Sequence, residues 1–320
     1  MKKRAEELSL RITEIFKKGT RYFSNPVYRF DVNAILGFYD DKSEEEFLAE
    51  QFYLHCGQKL NLENPTTFCE KIQWLKIHDR DPKYNLLVDK YEVKSYVENL
   101  IGAEYVIESY GVWNNFDEID FDALPNQFVL KCTHDSGGIV IVKDKATFDV
   151  KKARRVLEKH LKRNLYRYAR EWVYKDVKPR ILAEKFMTDV SGGDLTDYKF
   201  SCFNGEPKFC QVIANRHTDE SIDFFDMNWT HQEFIGLVGL STTLHNSATE
   251  IPSPKNFALM KKLAGVLAEG SLFRRIDFYE IDGKVFFGEI TFYPNAGLGT
   301  FIPHKWNKIL GDMLVLPIKK

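Results

Sequence analysis

Apolar residues recur along this chain with two different periods, and the change of period divides it. Residues 2–18 set Leu8, Ile12, Ile15 and Phe16 at helical spacing among Lys, Arg and Glu. That pattern predicts an amphipathic basic helix that either docks on the protein or lies at a membrane surface, with docking favoured because its acids weaken attraction to anionic lipid. Segments near 43–56, 66–77 and 89–100 continue the helical period. Each opens on a start signal: Ser43 with Glu46, Pro65-Thr66-Thr67 before Glu70, and Asp89 before Lys90. From Gln127 the period shortens to that of strands. Phe128–Cys132 and Ile139–Val142 read as a strand pair joined by a glycine turn, followed by a long basic helix over 149–170 and a strand over 180–186. Asn204-Gly205 and Asp282-Gly283 have the chemistry of tight hairpin turns, joining 198–203 to 207–213 and 278–281 to 284–290. A helix near 254–269 lies between the hairpins. The order predicts a mostly helical region followed by an α+β body with antiparallel hairpins.

The 320 residues are enough for about two domains, and a composition 44% hydrophobic and 14% aromatic supplies their core. A formal net charge of -1 excludes a general nucleic-acid coat, which needs a strong positive excess to release counterions. The longest apolar runs, 138–142 and 313–318, fall far short of the roughly 20 residues of a membrane span. The opening Met-Lys-Lys-Arg leads into Ala-Glu-Glu-Leu and not into an apolar stretch, so no signal peptide is expected. Cys56, Cys69, Cys132, Cys202 and Cys210 lack CxxC spacing, which predicts free thiols in a reducing compartment and a cytoplasmic protein.

Four stretches carry chemistry. In Leu130-Lys131-Cys132-Thr133-His134-Asp135-Ser136-Gly137-Gly138, a lysine inside a strand precedes a small-residue loop that can bring backbone N–H groups close to a phosphate; a plain hairpin turn is the alternative. The P-loop and dinucleotide spacings are both absent. Glu184-Lys185-Phe186 ends one strand and Asp197-Tyr198-Lys199 begins the next. The fourth stretch runs from Arg274-Arg275-Ile276-Asp277 to Gly288-Glu289-Ile290-Thr291 and Pro294-Asn295-Ala296-Gly297. Asp277 and Glu289 each lie six residues from Gly283 of the Asp282-Gly283 turn, so they are expected opposite each other on paired strands. Two unpaired carboxylates so placed repel, and a divalent cation with a taste for hard oxygen ligands, Mg²⁺, relieves the repulsion.

These motifs resemble, in their order, those of the ATP-grasp superfamily. More narrowly, Asn64-Pro65-Thr66-Thr67-Phe68-x-Glu70-Lys71-Ile72-Gln73-Trp74-Leu75, Asp89-Lys90, Phe128–His134, Asp197–Phe200 and Gly288–Pro294 look like the TupA-like ATP-grasp proteins of polysaccharide biosynthesis loci. The similarity runs from about residue 50 to the end. It implies an ATP-grasp fold with a helical region over 1–115 and two lobes, 116–186 and 187–320, gripping ATP. It implies ATP-phosphate lysines at Lys90 and Lys131, a phosphate loop at Ser136, Gly137 and Gly138, and an adenine-reading strand at Glu184, Lys185 and Phe186. Lys199 and Arg275 would face the transferring group, and Asp277 and Glu289 would hold Mg²⁺. Where the superfamily has an asparagine two residues after the metal glutamate this chain has Thr291, so Asn295, or Thr291 through its hydroxyl, stands in as third ligand.

The activity implied is an ATP-dependent carboxylate–amine ligase, joining an amino acid to a uronic acid or amino sugar through an acyl phosphate in capsule or cell-surface polysaccharide synthesis. The stretch from Lys151 to Arg180, rich in Lys and Arg and carrying Tyr166, Tyr168, Trp172 and Tyr174, is either a solvated basic face or a guide for an acidic glycan. Arg216 is expected to clamp a substrate carboxylate, and Phe225–Trp229 to line the acceptor pocket. Glycan acceptors of this kind imply peripheral contact with membrane-bound assembly machinery and no nucleic-acid partner. Two alternatives stay open: a glycosyltransferase using Asp79 and Asp81 as a D-x-D metal motif, and a non-catalytic module for acidic glycans. A protein-kinase reading lacks its H-R-D and D-F-G motifs, and His55, Cys56, Cys69 and His78 lack zinc spacing.

Overall fold

Helix caps are local chemistry, and the expected ones form. In the computed structural model, which describes residues 19–188, 195–214, 220–239 and 242–318, helix α1 (Pro26–Ile35) is followed by α2 (Glu44–Cys56) and α3 (Phe68–His78). Ser43 with Glu46 and Thr67 with Glu70 each close a reciprocal capping box. Helix α4 (Tyr84–Val88) precedes α5 (Glu92–Ile101). Asp89 Oδ1 accepts from the N–H groups of Tyr91 and Glu92, so it caps α5 from three residues before its first turn. The helix expected over 2–18 lies outside the described residues.

A four-stranded antiparallel sheet has the order β1 (Ser109–Trp113), β4 (Ile181–Lys185), β2 (Phe128–Cys132), β3 (Ile139–Val142). One strand therefore comes from before residue 116. Its core of Phe128, Leu130, Ile181 and Ala183 is closed by α6 (Val150–Leu161) through Ala153 and Leu157. The basic helix is shorter than the sequence suggests. It stops at Leu161, a short α7 (Leu165–Ala169) follows, and Arg170 turns the chain with φ 51°. The aromatic residues beyond that break do not form one exposed face: Tyr166 donates to Glu44 Oε1 at 2.5 Å, and Tyr168, Trp172 and Tyr174 pack against the main core.

The second sheet has six antiparallel strands: β11 (Lys284–Thr291), β10 (Phe273–Ile281), β5 (Asp197–Phe203), β6 (Glu206–Ala214), β7 (Ser221–Asp226) and β8 (His231–Gln232). Both two-residue turns take left-handed backbone, Asn204 and Gly205 at φ 48° and 84°, and Asp282 and Gly283 at 51° and 74°. Mirror-image turns of this kind match the twist of antiparallel strands, which is why Asn-Gly and Asp-Gly specify them. Helix α8 (Phe257–Ala268) covers the face of Phe200, Cys202, Ile276 and Phe278. The opposite face divides along its length. Phe273 and Phe203 at one end meet Phe68 of α3, with ring centroids 5.1 and 5.8 Å apart. Asp277 and Lys199 lie further along the same strands on the same side. Strands β9 (Ile235–Val238) and β12 (Thr300–Ile302) form a separate pair, and α9 (Lys305–Met313) packs on α3.

Candidate functional site

A cleft of about 210 Å³ lies between the two sheets. The four-stranded sheet, helix α5 and the turn before that helix contribute Lys90, Lys94, Lys131, Ile139 and Glu184; the six-stranded sheet contributes Asp197, Lys199, Asp277, Tyr279 and Glu289. Six of the residues singled out in the sequence thus meet here, although they come from segments up to 199 positions apart.

Glu184 organises the first wall. Pairing of β2 with β4 sets Val129 opposite Glu184, and the Glu184 carboxylate, 5% exposed, takes Lys131 Nζ at 2.6 Å and Lys94 Nζ at 2.7 Å. Burial alone would raise its pKa, but the two ammonium groups, Lys131 foremost, hold it below the ordinary carboxylate value. Lys94, which also donates to the Ile107 carbonyl at 2.6 Å, is lowered by the same burial despite Glu184. The lysine inside strand β2 has found the partner that desolvation demands. Lys90 Nζ donates to the Asp135 carbonyl at 2.8 Å, at the root of the glycine loop.

Asp277 organises the second. A strict two-residue hairpin would set Asp277 opposite Gly288; a bulge shifts the register there, and Glu289 becomes its partner. A Cβ on Gly288 would lie 3.1 Å from the Asp277 carbonyl, so the bulge position suits glycine. The expected juxtaposition is present, but the two acids are not left facing each other unpaired. Asp277, 2% exposed, takes Lys199 Nζ at 2.5 Å and Arg275 through two nitrogens at 2.7 and 2.8 Å. Burial pushes its pKa up, and Arg275 and then Lys199 bring it below the ordinary value. Arg275 is driven upward by Asp277 and Glu289 against the effect of burial. Glu289 keeps 45% of its side chain exposed, with Arg275 Nη2 at 3.2 Å. Repulsion between the carboxylates is therefore answered first by protein cations.

Thr291 belongs to this cluster. Its hydroxyl lies 3.4 Å from Glu289 Oε1 and accepts from Arg275 at 3.0 Å. Asn295 stands apart: its Nδ2 donates to the carbonyls of Leu237 and Leu298 at 2.9 and 2.5 Å, which fastens a left-handed turn. Lys185 is exposed, and its backbone N–H is taken by the Glu108 carbonyl at 3.0 Å; neither it nor Phe186 lines the cleft. Ser136 and Gly137 are exposed and Gly138 is buried, and none of the three lines the cleft. Arg216 lies outside the described residues. Phe225–Trp229 forms a packed turn, with Trp229 stacked on Phe225 at 4.2 Å and Asp226 Oδ1 accepting from the N–H groups of Asn228 and Thr230. Asp79 accepts from the Tyr84 hydroxyl and Asp81 from the Lys83 N–H, so both acids of the D-x-D are engaged in the turn between α3 and α4.

Lys94 and Tyr279 also line the cleft and were not expected from sequence, and Asp197, part of the Asp197-Tyr198-Lys199 stretch but given no role of its own, joins them. Lys94 lies one helical turn beyond Lys90, a spacing that could have marked it.

A search of curated proteins finds no match. Similar solved structures include a D-alanine–D-alanine ligase from Bacillus anthracis complexed with ATP, 18% identical over 72% of this chain and 63% of that one, with a TM-score of 0.39. The ligase of the same name from Helicobacter pylori is 16% identical over 78% and 69%, with a TM-score of 0.41. The ATP-grasp ligase PsnB, complexed with minimal precursor, Mg and ADP, is 9% identical over 70% and 57%, with a TM-score of 0.37. The chain thus spans less than two thirds of the Bacillus anthracis ligase. Family membership rests on firmer ground than these scores: the model of the TupA-like ATP-grasp family matches residues 70–315, most of the sequence, and this α+β chain belongs to that family.

Proposed function

We propose that this protein is an ATP-dependent carboxylate–amine ligase that joins an amino acid to a uronic acid or amino sugar in the making of a bacterial capsule or surface polysaccharide. The observation that carries the reading is the opposition of charge across the cleft, with Lys90, Lys94 and Lys131 on one wall and Asp277 and Glu289 on the other. A polyphosphate suits the first wall and a metal ion the second. Val106, Ile107, Ile139 and Phe287 line the same cleft and suit a flat base.

The donors fit Mg²⁺. Asp277 and Glu289 offer hard oxygens without His or Cys, and among the described residues no third acid completes a cage, which leaves positions for phosphate oxygens and water. Bound there, Mg²⁺ would spread the charge that develops on the transferring phosphoryl group. Lys131 and Lys90 would orient the phosphates. Arg275, fixed by two bonds to Asp277, and Lys199 would hold the γ-phosphoryl oxygens in line with a substrate carboxylate. The carboxylate oxygen takes the phosphoryl group and ADP leaves. A substrate amine then attacks the acyl carbon, phosphate departs, and the amine gives up a proton as the amide forms.

The glycan substrates and contact with membrane-bound assembly machinery are inferred from the family, and a cytoplasmic site of action from the scattered cysteines. Among the described residues no helix is long and apolar enough to cross a membrane. Incubation with Mg-ATP and pairs of amino acid and uronic acid or amino sugar tests the proposal. ADP and phosphate released only when both partners are present is the expected result. UDP release from a sugar nucleotide would establish a transferase instead, and absence of nucleotide binding a glycan-binding module.

A further inference from the structure

The glycine loop between β2 and β3 contains a carboxylate that the proposed chemistry does not use. Asp135 is fully buried, yet it sits between a conformationally permissive tip and the lysine of the cleft. Its Oδ2 accepts from Arg163 Nη1 at 3.2 Å and pairs with His160 Nδ1, while its Oδ1 is buried without a hydrogen-bond partner. Leaving a buried acceptor unpaired is costly, and an apolar residue would serve packing better.

Both partners come from the end of α6 and the turn after it, and they bind the loop at several points. The His134 ring pairs with the Arg163 carbonyl through Nε2 at 3.2 Å. The His160 side chain lies against the two glycines: a Cβ on Gly138 would fall 2.7 Å from His160 Cβ, and one on Gly137 3.0 Å from its ring. Gly137 and Gly138 have φ of 127° and 50°, so this path is open to glycine in particular. At the root, the Asp135 carbonyl accepts from Lys90 Nζ at 2.8 Å and the Thr133 carbonyl from the Lys90 N–H at 3.0 Å. One residue thus meets α6 through its side chain and the cleft lysine through its backbone.

We propose that Asp135, clamped by His160 and Arg163, is a positioning residue that, through the backbone of the glycine loop, sets the Lys90 ammonium for the phosphates of ATP. This rests on the ATP reading of the cleft. The clamp acts through Lys90, and its effect on ATP therefore depends on Lys90 being there. Two residues that touch ATP binding independently would give additive losses, whereas a positioning residue and the group it positions do not.

The test is a double-mutant cycle on the full chain, reading the Kd for Mg-ATP by titration with the melting midpoint alongside. Asp135→Asn and Lys90→Ala are each expected to weaken ATP by on the order of 10-fold, the worth of a hydrogen bond to a charged group. The double variant is expected to bind no more weakly than Lys90→Ala. If Asp135→Asn does not fold, Arg163→Ala takes its place in the cycle, since Arg163 is 30% exposed and its loss leaves no buried cation; Arg163→Lys is then expected to recover part of the affinity. Additive losses, or an unchanged Kd in the clamp variants while Lys90→Ala weakens ATP, would overturn the proposal. Wild-type protein that fails to bind Mg-ATP would remove the ATP reading itself, and the clamp's role with it.

Discussion

On the four-stranded wall of the cleft one buried carboxylate, Glu184, serves Lys94 and Lys131, and a third lysine, Lys90, rests on a carbonyl. On the six-stranded wall Lys199 and Arg275 serve Asp277, and Asp197 and Glu289 bring the carboxylates to three. The local unit is the same, a buried acid fixed between two cations, which satisfies desolvated charges and locks their rotamers. The balance is opposite. Surplus positive charge remains on one wall and surplus negative charge on the other, so a polyanion carrying a metal ion is matched on both sides. Pairing fixes geometry within each wall, and imbalance between walls is what the cleft presents to a ligand.

Changes to the negative wall should have the largest effect. Glu289→Gln is expected to lower ATP-dependent turnover on the order of 10² to 10³-fold, the size of effect seen when a preorganised charge stabiliser is removed. Its half-exposed side chain makes unfolding a poor explanation of such a loss. Asp277→Asn should cost as much turnover and also destabilise the fold, because Arg275 and Lys199 lose their shared partner; a urea titration should show a loss of about 3 kcal/mol or more. Wild-type turnover in either variant would break the assignment of that wall to the metal.

On the positive wall, Lys131→Ala is expected to raise the Kd for ATP on the order of 10-fold, leaving Glu184 paired with Lys94. Equal loss of adenosine and ATP affinity would show that the wall does not read phosphate. Acid tests the buried pairs. Glu184 and Asp277 both have lowered folded pKa values, so each contributes stability that is present at neutral pH and is lost as pH falls through about 4 and below. Glu184→Gln should therefore flatten the acid limb of a stability–pH curve; an unchanged limb would mean that its lysine pairs do not stabilise the fold. The smallest effect concerns the third ligand. Thr291→Ala should weaken Mg²⁺ activation a few-fold, on the scale of one lost hydrogen bond, and Asn295→Ala should leave it unchanged.

Much of the fold could be read from local chemistry. Capping boxes at Ser43 and Thr67 and the Asn204-Gly205 and Asp282-Gly283 turns form where the sequence puts them. The basic helix is shorter than its pattern predicts, because Tyr166, Tyr168 and Trp172 preserve a helical spacing after Leu161 while serving contacts with distant segments. Strands β1, β7, β8, β9 and β12 lie outside the strands the pattern predicts, since short strands defined by their neighbours carry little signal of their own. In the cleft, Lys131, Glu184, Lys199, Asp277 and Glu289 were legible as polar residues in strands that are otherwise apolar. Lys94 was not, because it sits on a helix where a lysine is ordinary.

The sequence by itself determined which residues could carry charge into the core and where the chain must turn, since caps and two-residue turns depend on a few adjacent side chains. Which charges pair was decided by the tertiary structure. A bulge at Gly288 brings Glu289 opposite Asp277, and strand β5 lays Lys199 beside it. Pairing of β2 with β4, and α5 packed nearby, give Glu184 its two lysines. Register is a property of strands meeting across long separations, and a shift of one residue would have turned these side chains to the other face.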